Sequence, residues 1–437
     1  MAMIGETVSL ERAGPAPQGW SGAVARALPA LRRYALSTGG PVSTSAAHFV
    51  ASLILLRTLA PAAFGLFAFL LIVVPFCLSL IGALVGASFI AGLRRTGEIA
   101  NGDLATHLKA NLVFSAAGFA VVGALMMASG AGAGTALLLG LYGGAMTLRR
   151  FGRVHAYAAG RPGQVLAGDV TYSVLLVGGL SALALFDALT MERAAATLAG
   201  ASVLCFPAFG RAYLARQFRP GRAGSLRGYL PHWHEFARWA ALGVVLTEFT
   251  ANAHAYIVTF VAGPKAFAVL ALGSLVMRPA SLVLSSLPDI ERPRMAKKIG
   301  SGDIKGAFRI VRDFRLAAAT TWLATLVLAG GLLTWFPHVL LKKGYNAGDA
   351  LIVIAIWGVI LAIRTLRTPQ SVLLQAAGEF RDLAGASLWS SVTSIAMTLG
   401  LLLVAGPIAA LGGILAGDLV MTGAISALTR HWRQRHG

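Results

Sequence analysis

The stretch TEFTANAHAYIVTFVAGPKAFAVLALGSLVMRP, Thr247–Pro279, decides the fold. It reads as two apolar segments joined by the short turn Gly263-Pro264-Lys265. At ~1.5 Å of rise per residue, a helix of twenty-odd residues crosses a ~30 Å hydrocarbon layer. Within the apolar runs sit Glu248, Asn252, His254 and Arg278. Ionisable groups in such runs are costly in lipid, so they face a bundle interior or a watery cavity and pair with one another.

The pattern extends over the whole chain. Hydrophobic residues make up 57% of the 437 and charged residues only 12%, against ~25% charged in soluble domains. Twelve spans are predicted, at 35–56, 63–92, 110–129, 132–149, 164–186, 192–213, 237–262, 266–288, 315–336, 346–366, 380–404 and 408–429. The runs lack the alternating apolar and polar residues of a membrane barrel, so the fold class is an all-α polytopic membrane protein. The first 33 residues carry no apolar core of a cleavable signal, and the first span is expected to serve as an uncleaved insertion signal.

The net charge of +20 raises nucleic acid as a partner. No RNA-reading motif or Cys/His finger spacing is present, and the distribution of the charge argues against one. With the N-terminus inside, the inner segments collect Arg94, Arg95 and Lys109, then Arg149, Arg150 and Arg153, then the basic run from Arg211 to Arg238 and that from Arg292 to Arg315. Arg364 and Arg367 follow on the same side. Only Arg57, Arg193, Lys265, Lys342 and Lys343 fall on the other side. This alternation follows the positive-inside rule for twelve spans with both termini cytoplasmic. These clusters accordingly read as orientation signals. Cys77 and Cys205 both lie in apolar runs and form no disulfide framework or metal spacing. No cofactor or metal motif is present.

The two halves repeat. Pro61-Ala62-Ala63-Phe64 recurs as Pro264-Lys265-Ala266-Phe267, and Asn101-Gly102-Asp103-Leu104 as Ser301-Gly302-Asp303-Ile304. Leu148-Arg149 recurs as Leu366-Arg367, and Leu198-Ala199-Gly200 as Leu415-Ala416-Gly417. The offsets stay in order. Six spans per repeat insert with the same orientation, so the two six-helix lobes are related by a pseudo-two-fold axis along the membrane normal. The domain organisation follows: a cytoplasmic tail 1–34, a first lobe 35–213, a basic cytoplasmic linker 214–236, a second lobe 237–429 and a tail 430–437. Two such lobes meet at a cleft, and rocking exposes it to each side in turn.

A resemblance enters with three motifs: Leu56-Arg57-Thr58-Leu59-Ala60-Pro61-Ala62-Ala63-Phe64-Gly65; Asn346-Ala347-Gly348-Asp349 with Pro369 and Gln375-Ala376-Ala377-Gly378; and Ala410-Leu411-Gly412-Gly413. They resemble bacterial O-antigen and exopolysaccharide unit flippases of the multidrug/oligosaccharidyl-lipid/polysaccharide exporter superfamily. Ala62 and Ala63 stand where that family has an acidic residue. The resemblance implies a non-enzymatic flippase of the bacterial inner membrane, moving polyprenyl-pyrophosphate-linked oligosaccharide among membrane lipids. A polysaccharide polymerase and a chain-length regulator are candidate partners. The alternatives are a multidrug or small-solute antiporter of the same fold, or a non-transporting subunit of a polysaccharide export machine.

Arg278 lies 13 residues after Lys265, roughly 16–20 Å from the flank and near the midplane. Glu248 is expected at similar depth on the neighbouring helix, so a Glu248–Arg278 pair is expected. It either locks the two spans together or sets Arg278 against a substrate phosphate with Glu248 as counter-ion, since a planar guanidinium presents several donors at once. Asn252 shares the Glu248 face, and His254 points away from it. Ser45, His48 and Ser52 form a stripe, with His48 a candidate proton or substrate contact. Ser387, Ser391, Ser394 and Thr398 form a second, packing stripe. Arg57 is expected near the outer edge, anchoring the first span or attracting substrate. Asp169 and Asp418 are expected as partners within the bundle. No phosphate loop, Gly-x-Ser-x-Gly or His-Glu-x-x-His element is present, and no catalytic constellation appears.

Overall fold

The computed structural model describes residues 20–90, 101–219, 224–335 and 346–436, and only the backbone of 20–38. Arg94, Arg95, Lys342 and Lys343 lie outside the described residues. The described chain is helical throughout. The first lobe comprises α1 (Trp20–Thr58), α2 (Pro61–Ile81, carried through a π-helical turn Gly82–Ala87 to Ile90), α3 (Asn101–Ala128), α4 (Ala133–Ala158), α5 (Pro162–Leu185) and α6 (Met191–Leu204). The second comprises α7 (Arg238–Ala262), α8 (Pro264–Val276), α9 (Arg278–Gly300), α10 (Ile304–Trp335), α11 (Ala347–Ala376), α12 (Phe380–Ala405) and α13 (Leu411–His436).

Eight of these helices are each long and apolar enough to cross a membrane, and three bent pairs raise the figure to eleven. The bends are 114° after Phe209, 64° within α7 and 63° between α8 and α9. The remaining position of the twelve belongs to α4, 26 residues long, whose apolar character is diluted by Arg149, Arg150 and Arg153. The helix starts follow local chemistry. Proline opens α2, α5, α8 and α9 at the first or second position, where its missing N–H and fixed φ are tolerated. Thr190 caps α6 by accepting from the Arg193 amide at 3.2 Å, and Asn346 caps α11 by accepting from Gly348 at 2.9 Å.

Packing repeats from lobe to lobe. In the first lobe α1 lies on α5, α3 on α4, and α4 on α6; in the second α7 lies on α12, α10 on α11, and α11 on α13. The lobes meet mainly where α2 packs on α8. These helices are equivalents in the duplication, as a two-fold relation requires. Small residues bring helices close, as a membrane bundle needs: Gly413 and Gly417 of α13 sit directly on Thr398 and Ser394 of the expected packing stripe in α12. Residues after α6 are not a free connection. The short helix Arg211–Phe218 folds back, and Gln217 donates to the Leu108 carbonyl at 3.2 Å while accepting from Asn111 at 3.1 Å.

The duplicated turns meet each other at the lobe interface. A Cβ on Gly65 would lie 1.9 Å from the Pro264 carbonyl oxygen and 3.3 Å from Ala268 Cβ. Below this contact Phe69 of α2 is met edge-on by Tyr256, Phe260 and Phe267, at ring distances of 5.4, 5.7 and 6.3 Å. These rings form an aromatic plug between α2, α7 and α8, in the edge-on geometry that aromatic pairs favour. Only glycine permits so close a backbone approach. Gly65→Val is therefore expected to destabilise the closed arrangement by ~1–3 kcal/mol, the usual range for overpacking. In a Cys205→Ser background, the buried Cys77 of α2 should then react several-fold faster with an impermeant maleimide; unchanged reactivity would mean that the turns are not a closure.

Candidate anion-binding cavity between the lobes

A cavity of about 290 Å³ lies between the lobes. Thr44, Ser45 and His48 line it from α1, Leu71, Val74, Pro75 and Leu78 from α2, and Tyr142, Met146, Arg149, Arg150 and Arg153 from α4. Arg278 lines it from the second lobe. Arg149, Arg150 and Arg153 reach one cavity because they fall at the end of a helix that runs nine residues past the expected boundary at 149. Arg149 and Arg153 are one turn apart and share a face. Arg278 reaches it because the chain turns by 63° between Val276 and Arg278, with Pro279 in the first turn of α9.

The charge balance is lopsided. Asp169 of α5 is fully buried and ion-pairs with Arg149 and with Arg153, the latter at 2.5 Å. Arg149 is only 2% exposed, and its guanidinium also lies 5.1 Å from the Tyr172 ring centroid. Among the described residues, no carboxylate lies within ion-pair distance of Arg150 or Arg278. The Nε atoms of Arg149, Arg150 and Arg153 are buried with no acceptor among the described residues. Buried donors of this kind call for a partner. A polar relay flanks them. His48 Nε2 lies 3.2 Å from the Tyr172 hydroxyl, which donates to the Tyr142 hydroxyl at 3.3 Å.

A second cavity, of about 620 Å³, adjoins the first and shares Arg150 with it. Its other lining residues are small and mostly apolar: Ser79, Gly82, Ala83, Gly86, Ala87 and Ile90 of α2, Val154 of α4, and Ala240 and Val244 of α7.

The expected Glu248–Arg278 pair is not formed. Glu248 instead accepts from the Tyr256 hydroxyl at 2.9 Å, on its own helix. Two bends intervene, 64° within α7 just after Glu248 and 63° before Arg278, so the two residues do not meet as they would on straight neighbouring helices. Asn252 stands with Glu248 on α7 and is absent from the cavity lining, whereas His48 and Arg278 line it together. Arg57 is exposed at the end of α1. His254 is buried, edge-on to Trp357 at 5.9 Å. Asp169 and Asp418 are both bundle partners: Asp418 binds Arg364 at 2.7 Å and Arg367 at 2.6 Å.

Arg149, Arg153, Arg364 and Arg367, expected as orientation signals, also carry a structural role. They lie inside helices and neutralise buried carboxylates, so they do not border the bundle as loop charges. The i, i+4 spacing of Arg149 and Arg153 points to this pairing in the sequence, as does Asp169, expected as a bundle partner.

No protein-family profile and no curated relative matches the sequence. Solved structures do match. An inward-facing multidrug-resistance MATE family transporter of the MOP superfamily superposes with a TM-score of 0.67 at 15% identity, over 87% of this chain and 93% of that one. The chain has the fold of the MOP-superfamily transporters. The lipid II flippase MurJ in an inward closed conformation also gives 0.67, at 10% identity over 90% of this chain and 87% of that one. An outward-facing MATE transporter gives 0.54 at 15% identity, over 91% and 93%. The chain is a multi-pass membrane protein of transporter architecture.

Removing one partner of a buried ion pair leaves an uncompensated charge, at ~3–5 kcal/mol. Asp169→Asn strands both Arg149 and Arg153 and is expected to lower the melting temperature of the purified protein clearly. Arg149→Gln added to it should recover part of the loss; a neutral Asp169→Asn would show that the ties carry no stability.

Proposed function

We propose that the chain is a lipid-linked oligosaccharide flippase, moving polyprenyl-pyrophosphate-linked polysaccharide units across the bacterial inner membrane. One observation carries this reading: a guanidinium-lined cavity shares Arg150 with an apolar cleft. An amphipathic anion fits such a junction. Its pyrophosphate meets Arg150 and Arg278, its sugars meet the hydroxyls of Thr44, Ser45 and Tyr142, and its polyprenyl tail follows the cleft between α2, α4 and α7 toward lipid. Arginine suits pyrophosphate because its fork of donors matches phosphate oxygens. His48 serves as a polar contact or proton relay through Tyr172 and Tyr142. In the orientation with both termini cytoplasmic, the plug around Phe69 closes the outer end and the cavity loads from inside.

A multidrug exporter of cations is the competing reading on the same fold. Four guanidiniums against one carboxylate oppose a cationic drug at this cavity. The similarity of fold to a lipid II flippase supports a lipid-linked substrate as a class.

Charged hydrogen bonds contribute ~1.5–3 kcal/mol each, so losing one lowers binding by roughly ten- to a hundred-fold. In liposomes containing only this protein, Arg278→Ala and Arg150→Ala should each slow flipping of a fluorescent polyprenyl-pyrophosphate glycan by at least ~10-fold. Arg278→Lys should fall between. Full-rate flipping by both alanine variants would refute the phosphate role. Transport of cationic dyes without transport of the glycan would favour the exporter, and failure of wild-type protein to move either would favour an assembly subunit.

A further inference from the structure

Away from the cavity, three side chains from two distant parts of the chain converge on one point. Asp103 and His107 stand one turn apart at the start of α3, on one face. His232 comes from the short helix Leu230–His232 that leads into α7. Asp103 Oδ1 lies 3.0 Å from His232 Nε2 and 3.4 Å from His107 Nδ1. The three ligand atoms all fall within 4.8 Å of one another.

We propose that Asp103, His107 and His232 form a binding site for a divalent transition-metal ion of the zinc class, which fastens the inter-lobe connection to the first lobe. The spacing is the first argument. Ligands held at ~2.0–2.2 Å from a tetrahedral zinc ion stand roughly 3.2–3.5 Å from one another. The 3.0 and 3.4 Å separations need little adjustment to accept one.

The surroundings of His107 are the second argument. Its ring is wholly buried, walled by Phe89 and Phe151 at 5.5 and 6.4 Å and by Tyr229 at 6.2 Å. Nε2 lies 3.3 Å from the Ser88 hydroxyl. That hydroxyl donates to the Leu84 carbonyl at 2.9 Å, which leaves its oxygen able to accept from Nε2–H. Metal-binding imidazoles are held this way, donating through one nitrogen and ligating through the other. Nδ1 lies 2.9 Å from the Asp103 carbonyl oxygen and 3.4 Å from the Asp103 carboxylate; its proton donates to the carbonyl when no ion is bound, and a metal ion displaces that proton and takes the lone pair. With that proton gone, the two imidazoles and the carboxylate each offer one ligand atom to the same point. The mixed nitrogen and oxygen set selects a borderline ion of the zinc type, since magnesium and calcium take all-oxygen cages. Asp103 and His232 are partly exposed and give the ion a way in.

The duplication supplies an internal control. Asp103 recurs as Asp303, but His107 recurs as Ala307. Asp303 does ordinary work: it accepts from the Gly306 amide at 2.7 Å and from Lys298 at 2.8 Å, contacts that hold its carboxyl below the usual range. Where the repeat keeps the aspartate without imidazoles, the carboxylate caps its helix. Where two imidazoles are present, it turns to them. An ion there would bind His232, on the way into α7, to α3, and through Ser88 to the segment just after the π-helical turn of α2. It would limit how far the second lobe swings.

The test uses tag-free full-length protein in detergent, equilibrated with zinc chloride and desalted, with metal content read by mass spectrometry. Wild type should retain a single zinc equivalent that His232→Ala, His107→Ala and Asp103→Asn lack, while His436→Ala keeps it. Cobalt in place of zinc should give a visible ligand-field band that is lost in the same variants. Ser88→Ala should weaken zinc binding by about ten-fold, the usual effect of removing an outer-shell partner. Wild-type protein without stoichiometric zinc, or zinc and the cobalt band unchanged in a folded His232→Ala protein, overturns the proposal. None of these readouts involves transport, so they stand apart from the flippase reading.

Discussion

Charge inside the bundle is the constraint on which this structure depends. A guanidinium cannot shed its proton in a protein, so each buried arginine must find anionic or polar oxygen. In each lobe one buried aspartate meets that need twice: Asp169 holds Arg149 and Arg153, and Asp418 holds Arg364 and Arg367. These ties fix the inner halves of α4 and α11 against α5 and α13. They also set what is left over. In the second lobe, among the described residues, no further arginine joins the pair on Asp418. In the first, Arg150 lies beside the tied pair and Arg278 arrives from across the interface. The cavity is cationic because five charged groups converge there and only one of them is acidic.

The fold was legible because lipid imposes a simple code. Backbone groups must be satisfied within each helix, so long apolar runs read directly as spans, and the ordered repeats gave the two-lobe relation. The boundaries were not legible where a helix outlasts its apolar stretch. α4 and α11 continue to Ala158 and Ala376, and their arginines look the same in sequence whether they border the membrane or pair with a buried carboxylate. The Glu248–Arg278 pair failed for a related reason. Equal depth holds only for straight helices, and bends of 64° beside Glu248 and 63° before Arg278 intervene. Proline at position 279 marked a weak point but gave no direction. His48 and Arg278 were recognised as polar groups in apolar runs, yet their meeting across two lobes depends on rigid-body packing that no local pattern encodes. The contact between His232 and Asp103 is likewise invisible in sequence, lying between residues on opposite sides of six intervening elements.

The duplication separates what builds the frame from what has specialised. Pro61 and Pro264 open equivalent helices, and their turns touch at Gly65, close to the symmetry axis. An interface on the axis uses both copies of a motif at once, which keeps the two alike. Positions off the axis are free to diverge. Pro75 aligns with Arg278 at the same offset as the two turns, and both line one cavity: the first lobe contributes a helix-loosening proline and the second a charge.

This asymmetry bears on how such a molecule works. If both lobes held equal charge facing the cavity, their mutual repulsion would act against closing the lobes around it at any stage. Here the first lobe holds the tied pair and the untied Arg150, and the second holds Arg278 alone. An anion between them is attracted from both sides, so it favours a closed arrangement in which Arg150 and Arg278 approach. Without the anion, two uncompensated guanidiniums favour separation. The interaction strengthens as water leaves, because charges a few ångströms apart attract more in a medium of low dielectric constant. A ligand shifts an equilibrium only by its difference in affinity for the two states. Under the proposed function, that difference arises from the separation of Arg150 and Arg278 across the lobe interface, which an anion between them would shorten.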